Sequence, residues 1–245
     1  MDAVKKVSSS AATMKILVAC EESQAVTKEL RRLGHEAYSC DILECSGGHP
    51  EWHIRNDATP LVNGDCIFTT DDGIDRHISG RWDMIIAFPP CTYMSNAGAC
   101  RMYPRKGQRD EERFKKAMAA KEFFMAFYNA DCERICIENP VPLSCIGLPE
   151  KSQVIQPYEY GHPYTKKTYL WTKGLPNLIP TEVITPLGPY VCGNSEIWKK
   201  QAAKGTIYGK EKSAIHRSKT FPGIAKAMAE QWGRNIAEED DSWMM

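Results

Sequence analysis

A chain of 245 residues, 42% hydrophobic and 25% charged, is long enough for one sizeable domain, and its composition excludes disorder throughout. Basic and acidic residues balance at 31 each, so no uniformly basic surface announces a nucleic-acid partner. No apolar run approaches the roughly 20 residues of a membrane span. Ten cysteines without a C-x-x-C pair fit a reduced, cytoplasmic setting better than a disulfide scaffold.

In chain order, residues 1–13 are small and polar and are expected to form a loose tail without a secretion signal. Residues 14–20 (MKILVAC) form an apolar strand, Ala25 to Leu33 carries a helical pattern, and 35–41 (HEAYSCD) is a second strand. This strand–helix–strand unit opens an α/β fold. Residues 82–88 (WDMIIAF) make a third strand, stopped by Pro89 and Pro90. The most regular helix is predicted over 111–128, with Phe114, Met118, Phe123, Met125 and Phe127 as its apolar positions. Strands follow at 134–138 and 168–171, and a helix with proline in its first turn at 221–232. Between 172 and 216 glycine and proline recur without regular periodicity, which predicts a small irregular region between a body at 14–171 and a returning segment at 217–235. Residues 236–245 begin with an acidic run and form a tail. The alternation of strands and helices predicts a doubly wound, mostly parallel sheet covered on both faces, with ligands at the carboxyl ends of its strands.

Charge is distributed unevenly. Residues 101–116 hold seven cations against three acidic residues, and 196–219 hold seven against two; both runs are expected to meet phosphates. Cys45, His49 and His53 are spaced four apart, but a structural zinc site needs a fourth ligand. Gly47, Gly48 and Pro50 also argue against a helix aligning them, so no metal is expected.

Chemistry concentrates just after strands. The segment FPPCTYMSNAG (88–98) places Cys91 in a loop following the third strand, and a cysteine thiol is the most nucleophilic side chain at neutral pH. ICIENP (135–140) places Glu138 and Asn139 at the next strand end. Together these resemble the catalytic loop and the Glu-Asn motif of the DNA cytosine-5 methyltransferase family. Pro90, Cys91, Ser95 and Gly98 fall in register, while Thr92 replaces the usual glutamine and Pro140 the usual valine. The resemblance implies that Cys91 adds to carbon 6 of cytosine and that Glu138 protonates the ring, with Asn139 orienting it. Ser95 and Gly98 would lie against the substrate.

Three further segments are similar to family motifs. In YTKKTYLW (164–171), Lys167 and Thr165 stand where the family carries base- or phosphate-contacting arginines. LVACEESQAV (17–26) occupies the place of the cofactor loop but contains no glycine. The resemblance implies S-adenosylmethionine held there by Cys20, Glu21, Glu22 and Ser23, with a carboxylate taking the methionine ammonium. Asp41 would meet the ribose hydroxyls and Asp57 the adenine amine, with Pro89 alongside. RSKTFPGIAKAM (217–228) is similar to the last family motif, whose Pro222 would close the cofactor pocket.

The resemblance runs from about Met14 to Trp232 and is nearest to short, phage-type members. It implies a Rossmann-like methyltransferase fold acting on a cytosine flipped out of duplex DNA. A recognition region confined to 172–216 implies few direct base contacts and a short or degenerate target. Two other readings stand beside it. One is the same chemistry on tRNA or a free cytosine nucleotide, and the other is a catalytically silent nucleic-acid-binding protein.

Overall fold

A computed structural model describes residues 13–190 and 219–234. The amino-terminal tail to residue 12, most of the second basic run, the irregular region beyond 190 and the acidic tail lie outside the described residues. The structure is α/β, with a mostly parallel seven-stranded sheet and four α-helices among the described residues. The strands are β1 (Lys15–Ala19), β2 (Glu36–Asp41), β3 (His53–Arg55), β4 (Cys66–Thr69), β5 (Asp75–Ile78), β6 (Met84–Ala87), β7 (Ile135–Pro140), β8 (Gln153–Ile155), β9 (Tyr164–Thr165), β10 (Thr168–Lys173) and β11 (Gly188–Pro189). The helices are α1 (Ala25–Arg32), α2 (Ala99–Met102), α3 (Glu111–Tyr128) and α4 (Pro222–Trp232). No described helix is long and apolar enough to cross a membrane.

The main sheet runs β3-β2-β1-β6-β7-β10-β8. From β3 to β7 all pairings are parallel, with Ala19 opposite both Cys40 and Ala87, and Ala87 opposite Ile137. The chain moves outward from β1 through β2 to β3, then returns to the far side of β1 as β6. The carboxyl ends of β1 and β6 therefore flank the point where strand order reverses, where open sheets of this kind leave a crevice for ligands. β10 runs antiparallel to β7, pairing Thr168 with Pro140 and Leu170 with Glu138. Its first residues thus sit at the same end as the last residues of β7.

Alternate strand residues feed two cores. Leu17, Ala19, Ile85, Ala87 and Ile137 pack with Phe124 and Phe127 of α3. Ile16, Val18, Met84, Ile86 and Cys136 pack with Val26 and Leu30 of α1 and Ile224 and Met228 of α4. Burial on both faces explains why these strands are continuous apolar runs rather than alternating ones.

Helix α3 starts where Asp110 accepts the backbone N–H of Arg113 at 2.9 Å, a cap that contributes about 1 kcal/mol. Its buried positions are Ala117, Phe124 and Phe127, whereas Phe114, Met118, Phe123 and Met125 are only partly buried. Phe124, not among the expected apolar positions, is fully buried and contributes about 1.5–3 kcal/mol by leaving water. The boundary expected after residue 171 falls inside β10. Residues 174–190 lie against the body, with Leu178 and Tyr190 buried. The Gln153 side chain brackets Leu178, accepting its N–H at 2.8 Å and donating to its carbonyl at 2.7 Å.

The amino end of α4 is latched to the loop before β9. His162 Nε2 accepts the Gly223 N–H at 2.9 Å, and a side chain at residue 223 would collide with the Tyr160 carbonyl oxygen. Burial lowers the His162 pKa, with Glu182 opposing the shift. The folded imidazole therefore binds fewer protons than the unfolded one, so its stabilising contribution falls as pH drops below the unfolded value of about 6.5. Thermal melts between pH 7 and pH 5 are expected to show a steeper loss of Tm for the native chain than for His162→Gln. Identical slopes would remove His162 from the latch.

Candidate active site

The carboxyl ends of β6, β7 and the start of β10 bring three of the singled-out segments together. After β6 the chain is held by the Phe88 N–H on the Ala19 carbonyl at 2.9 Å, and it turns at Pro89 and Pro90 into the loop carrying Cys91. The Cys91 carbonyl accepts the N–H groups of Met94 at 3.1 Å and Ser95 at 2.9 Å. This loop is tied to the segment after β7, because Asn96 donates to Val141 O and Leu143 donates to Met94 O, each at 2.8 Å. Ser95 is buried and bridges to Pro142, and Gly98 is buried beneath it.

Asn139 links the two motifs directly. Its side chain is fully buried, and Nδ2 donates to the Pro89 carbonyl at 2.8 Å. Its Oδ1 has no partner. Beside it on β7 stands Glu138, whose charge acts on the Cys91 thiol. Burial raises the Cys91 pKa, the Glu138 charge raises it further, and Lys166 pulls it down. Burial likewise raises Glu138, opposed by Lys166 and by a hydrogen bond with Thr168. Glu138, Lys166 and Thr168 also line a small recess of ≈ 20 Å³ with Ile155, Thr220, Phe221 and Ile224, about the room one water needs.

The cation at this centre is Lys166, which was not singled out in the sequence. Lys167 is exposed, with its ammonium 5.7 Å from the Tyr169 ring centre. Neighbouring residues of an extended chain point to opposite faces, so residue 166 shares its parity with buried Thr168 and Leu170. That parity separates the two lysines only once β10 is known to begin at Thr168. Thr165 lies in β9, where it pairs with Pro189 and its carbonyl accepts the Tyr190 N–H at 2.9 Å.

The loop after β1 is built differently from a glycine-rich cradle. Cys20 takes a left-handed backbone, φ 60, and its N–H donates to Cys40 O at 2.6 Å. Glu21 folds back onto the amino end of α1. Its carboxylate accepts Val26 N at 2.7 Å, Thr27 N at 3.2 Å and the Thr27 hydroxyl at 2.7 Å. Burial pushes its pKa up to about 7 despite those bonds. The anion-attracting end of the helix is thus filled by the chain's own carboxylate. Glu22 accepts the Ser46 hydroxyl and lies 3.6 Å from Lys219 Nζ. Gly47 packs so closely on Gln24 and the Ser23 carbonyl that no Cβ would fit.

Farther along the strand ends, Asp41 accepts Leu43 N at 2.9 Å, and Asp57 accepts both the N–H and the hydroxyl of Thr59 at 2.8 Å. Both carboxylates help to raise the Cys20 thiol pKa, after burial, which is the largest cause. Pro89 is buried and Pro222 is exposed. Asp41 and Asp57 are acceptors, the kind of group that the hydroxyls and amine of the nucleoside end of S-adenosylmethionine would need, although each already accepts from a neighbouring residue. The amino-acid end is not fitted, because Glu21 and Glu22 already serve α1, Ser46 and Lys219.

Cys45, His49 and His53 do not converge. Cys45 Sγ donates to Gln24 Oε1 at 3.2 Å, His49 stacks on Trp52 and pairs with Glu51, and His53 uses both ring nitrogens on Ser39 and Leu43. The first basic run is partly committed as well. Arg109 forms a two-pronged pair with Glu111, Lys116 lies 3.7 Å from Glu112, and Arg113 turns inward. Arg101, Arg105, Lys106 and Lys115 are exposed.

No protein-family model matches this chain, and no curated protein sequence matches it.

Proposed function

We propose that the protein methylates carbon 5 of cytosine in DNA, using Cys91 as the nucleophile and Glu138 as the acid. The observation that carries this reading is the placing of the Cys91 loop after β6 and of Glu138 on the adjacent strand β7, tied together by Asn139 on Pro89, with the Glu138 charge raising the Cys91 pKa and Lys166 acting on both. The strand order and the two cores support a Rossmann-like methyltransferase fold, in which such a site belongs at the strand-order reversal.

The chemistry asks for two groups with opposite protonation. Carbon 5 of cytosine is a poor nucleophile until a thiolate adds to carbon 6 and converts the ring to an enamine. Cys91 supplies the sulfur and must lose its proton; Lys166 favours the thiolate. Glu138 must hold a proton to give to ring N3 as the sulfur adds, and burial favours its neutral form. Asn139 fixes the loop by holding Pro89. The carbon-5 proton then passes to water, the Cys91 thiolate is expelled and the N3 proton returns to the Glu138 carboxylate, which restores the aromatic ring. S-adenosylmethionine, the donor that the family resemblance implies, would supply the electrophilic methyl group, with Asp41 and Asp57 toward its nucleoside.

The reading is tested by offering labelled S-adenosylmethionine with duplex DNA, tRNA and a cytosine nucleotide in parallel. Label is expected in DNA, recovered as 5-methylcytosine. Label in tRNA or nucleotide alone would reassign the substrate. No transfer, together with no cofactor binding by calorimetry, would overturn the enzyme reading in favour of a silent nucleic-acid-binding protein.

A further inference from the structure

Among the described residues, two buried side-chain polar atoms lack any hydrogen-bond partner, Asn139 Oδ1 and Arg113 Nε. Both side chains grip the same loop. Asn139 donates to Pro89 O at 2.8 Å and Arg113 Nη2 donates to Thr92 O at 2.7 Å. The two carbonyls bracket Cys91, one lying two residues before it and the other one residue after. A buried donor or acceptor without a partner is costly, and among the side-chain atoms of the described residues that cost falls at the two clamps of this loop.

Three further contacts concern Arg113. Its guanidinium lies 5.1 Å from the centre of the Tyr93 ring, within cation–π range. Its Nη2 is 2.9 Å from where a Cβ on Gly98 would stand. Its backbone is fixed in the first turn of α3 by the Asp110 cap. Arg113 therefore contacts the loop at Thr92, Tyr93 and Gly98 from a rigid helix.

We propose that Arg113 is a positioning residue that holds the Cys91 loop in place, with its guanidinium packed against Gly98. This role differs from the phosphate contact expected of the basic run 101–116. It deepens the proposed function, resting on that reading for the chemistry of Cys91 but not for the clamp itself. Arginine suits the task because a planar fork can donate to Thr92 O while lying over Tyr93. Lysine could supply the charge and one hydrogen bond, but not the stacked plane.

The test reads the loop without requiring catalysis. The native chain, Arg113→Ala and Arg113→Lys are treated with iodoacetamide, and alkylation of each cysteine is followed by mass spectrometry. Cys100, which is exposed, serves as the internal reference. Releasing the loop should expose a half-buried thiol whose pKa burial now raises, so Arg113→Ala is expected to speed Cys91 alkylation relative to Cys100 by about tenfold. Arg113→Lys should fall between the two, with melting temperatures close to native. An unchanged or slower Cys91 rate in both variants would overturn the clamp. If Arg113→Ala does not fold, Arg113→Lys decides alone, and a native Cys91 rate there overturns it. Absence of any methyl transfer by the native chain, with the labelling result intact, would overturn the methylation reading and leave the clamp standing.

Discussion

Cys91→Ser is expected to abolish covalent capture of DNA containing 5-fluorocytosine while leaving DNA binding largely intact. In the native protein, with methyl donor present, the sulfur should add to carbon 6 and the methyl group to carbon 5. The cycle should then stop, because fluorine cannot leave as a proton does. The complex should survive denaturing electrophoresis. A serine hydroxyl ionises so much less readily than a thiol that the same position cannot supply the nucleophile at neutral pH. The environment of Cys91 sharpens the expectation. Burial and the Glu138 charge raise its thiol pKa above the ordinary value, and Lys166 only partly offsets them. The native trapping rate should therefore still be climbing with pH where an unperturbed thiol would have levelled off. A serine variant that forms adduct or methylates at a rate comparable to native would remove Cys91 from the chemistry.

The parts of this protein that were legible in its sequence are those governed by short-range pattern. β1, β2, β6 and β7 stand out as apolar runs because parallel strands are buried on both faces. β3 and β8, three residues each, are too short to carry a pattern. The β4–β5 hairpin had a readable signal in Asp71-Asp72-Gly73, where Gly73 takes φ 80, yet its strands carry Asp75, Arg76 and His77 and do not read as apolar. In α3 the presence of a helix was clear but its phase was not. Adjacent Phe123 and Phe124 differ by one residue, and only packing against Trp171, whose ring centre is 5.0 Å from that of Phe124, selects the second.

The candidate site divides in the same way. Cys91 and Glu138 could be singled out because the segments that carry them, FPPCTYMSNAG and ICIENP, resemble family motifs at strand ends. Lys166 and Lys167 are chemically alike and adjacent, so which of them faces Glu138 depends on the path of the chain between β9 and β10. Glu21 and Glu22 are unreadable for another reason. Their partners are the amino end of α1, Ser46 and Lys219, and the last two lie far away in sequence. Arg113 illustrates the same limit, since a cation in a basic run looks like surface until the position of residues 92–98 is known.

Glu138→Gln is expected to lower the methylation rate by about 10²–10⁴-fold, the usual contribution of a positioned acid. Glutamine keeps the shape of the side chain and can still bond Thr168, so the fold should be little disturbed, but it has no titratable proton to give the cytosine ring. The carboxyl is suited to that role because burial holds it in its neutral form to higher pH than usual, against the pull of Lys166 and Thr168. The same substitution has a second consequence of opposite sign. The Glu138 charge raises the Cys91 pKa, so removing it while Lys166 remains should let the thiol ionise more readily. Alkylation of Cys91 by iodoacetamide should therefore speed up in the variant at pH values where the native Glu138 carboxyl has ionised. A released loop would also speed alkylation, so the pairing is assigned to charge only where the melting temperature stays near native and the gain disappears at pH values where the native Glu138 is protonated. Unaltered methylation at neutral pH would exclude Glu138 as the acid. Slower alkylation of a folded variant would show that the carboxylate does not act on the thiol at all.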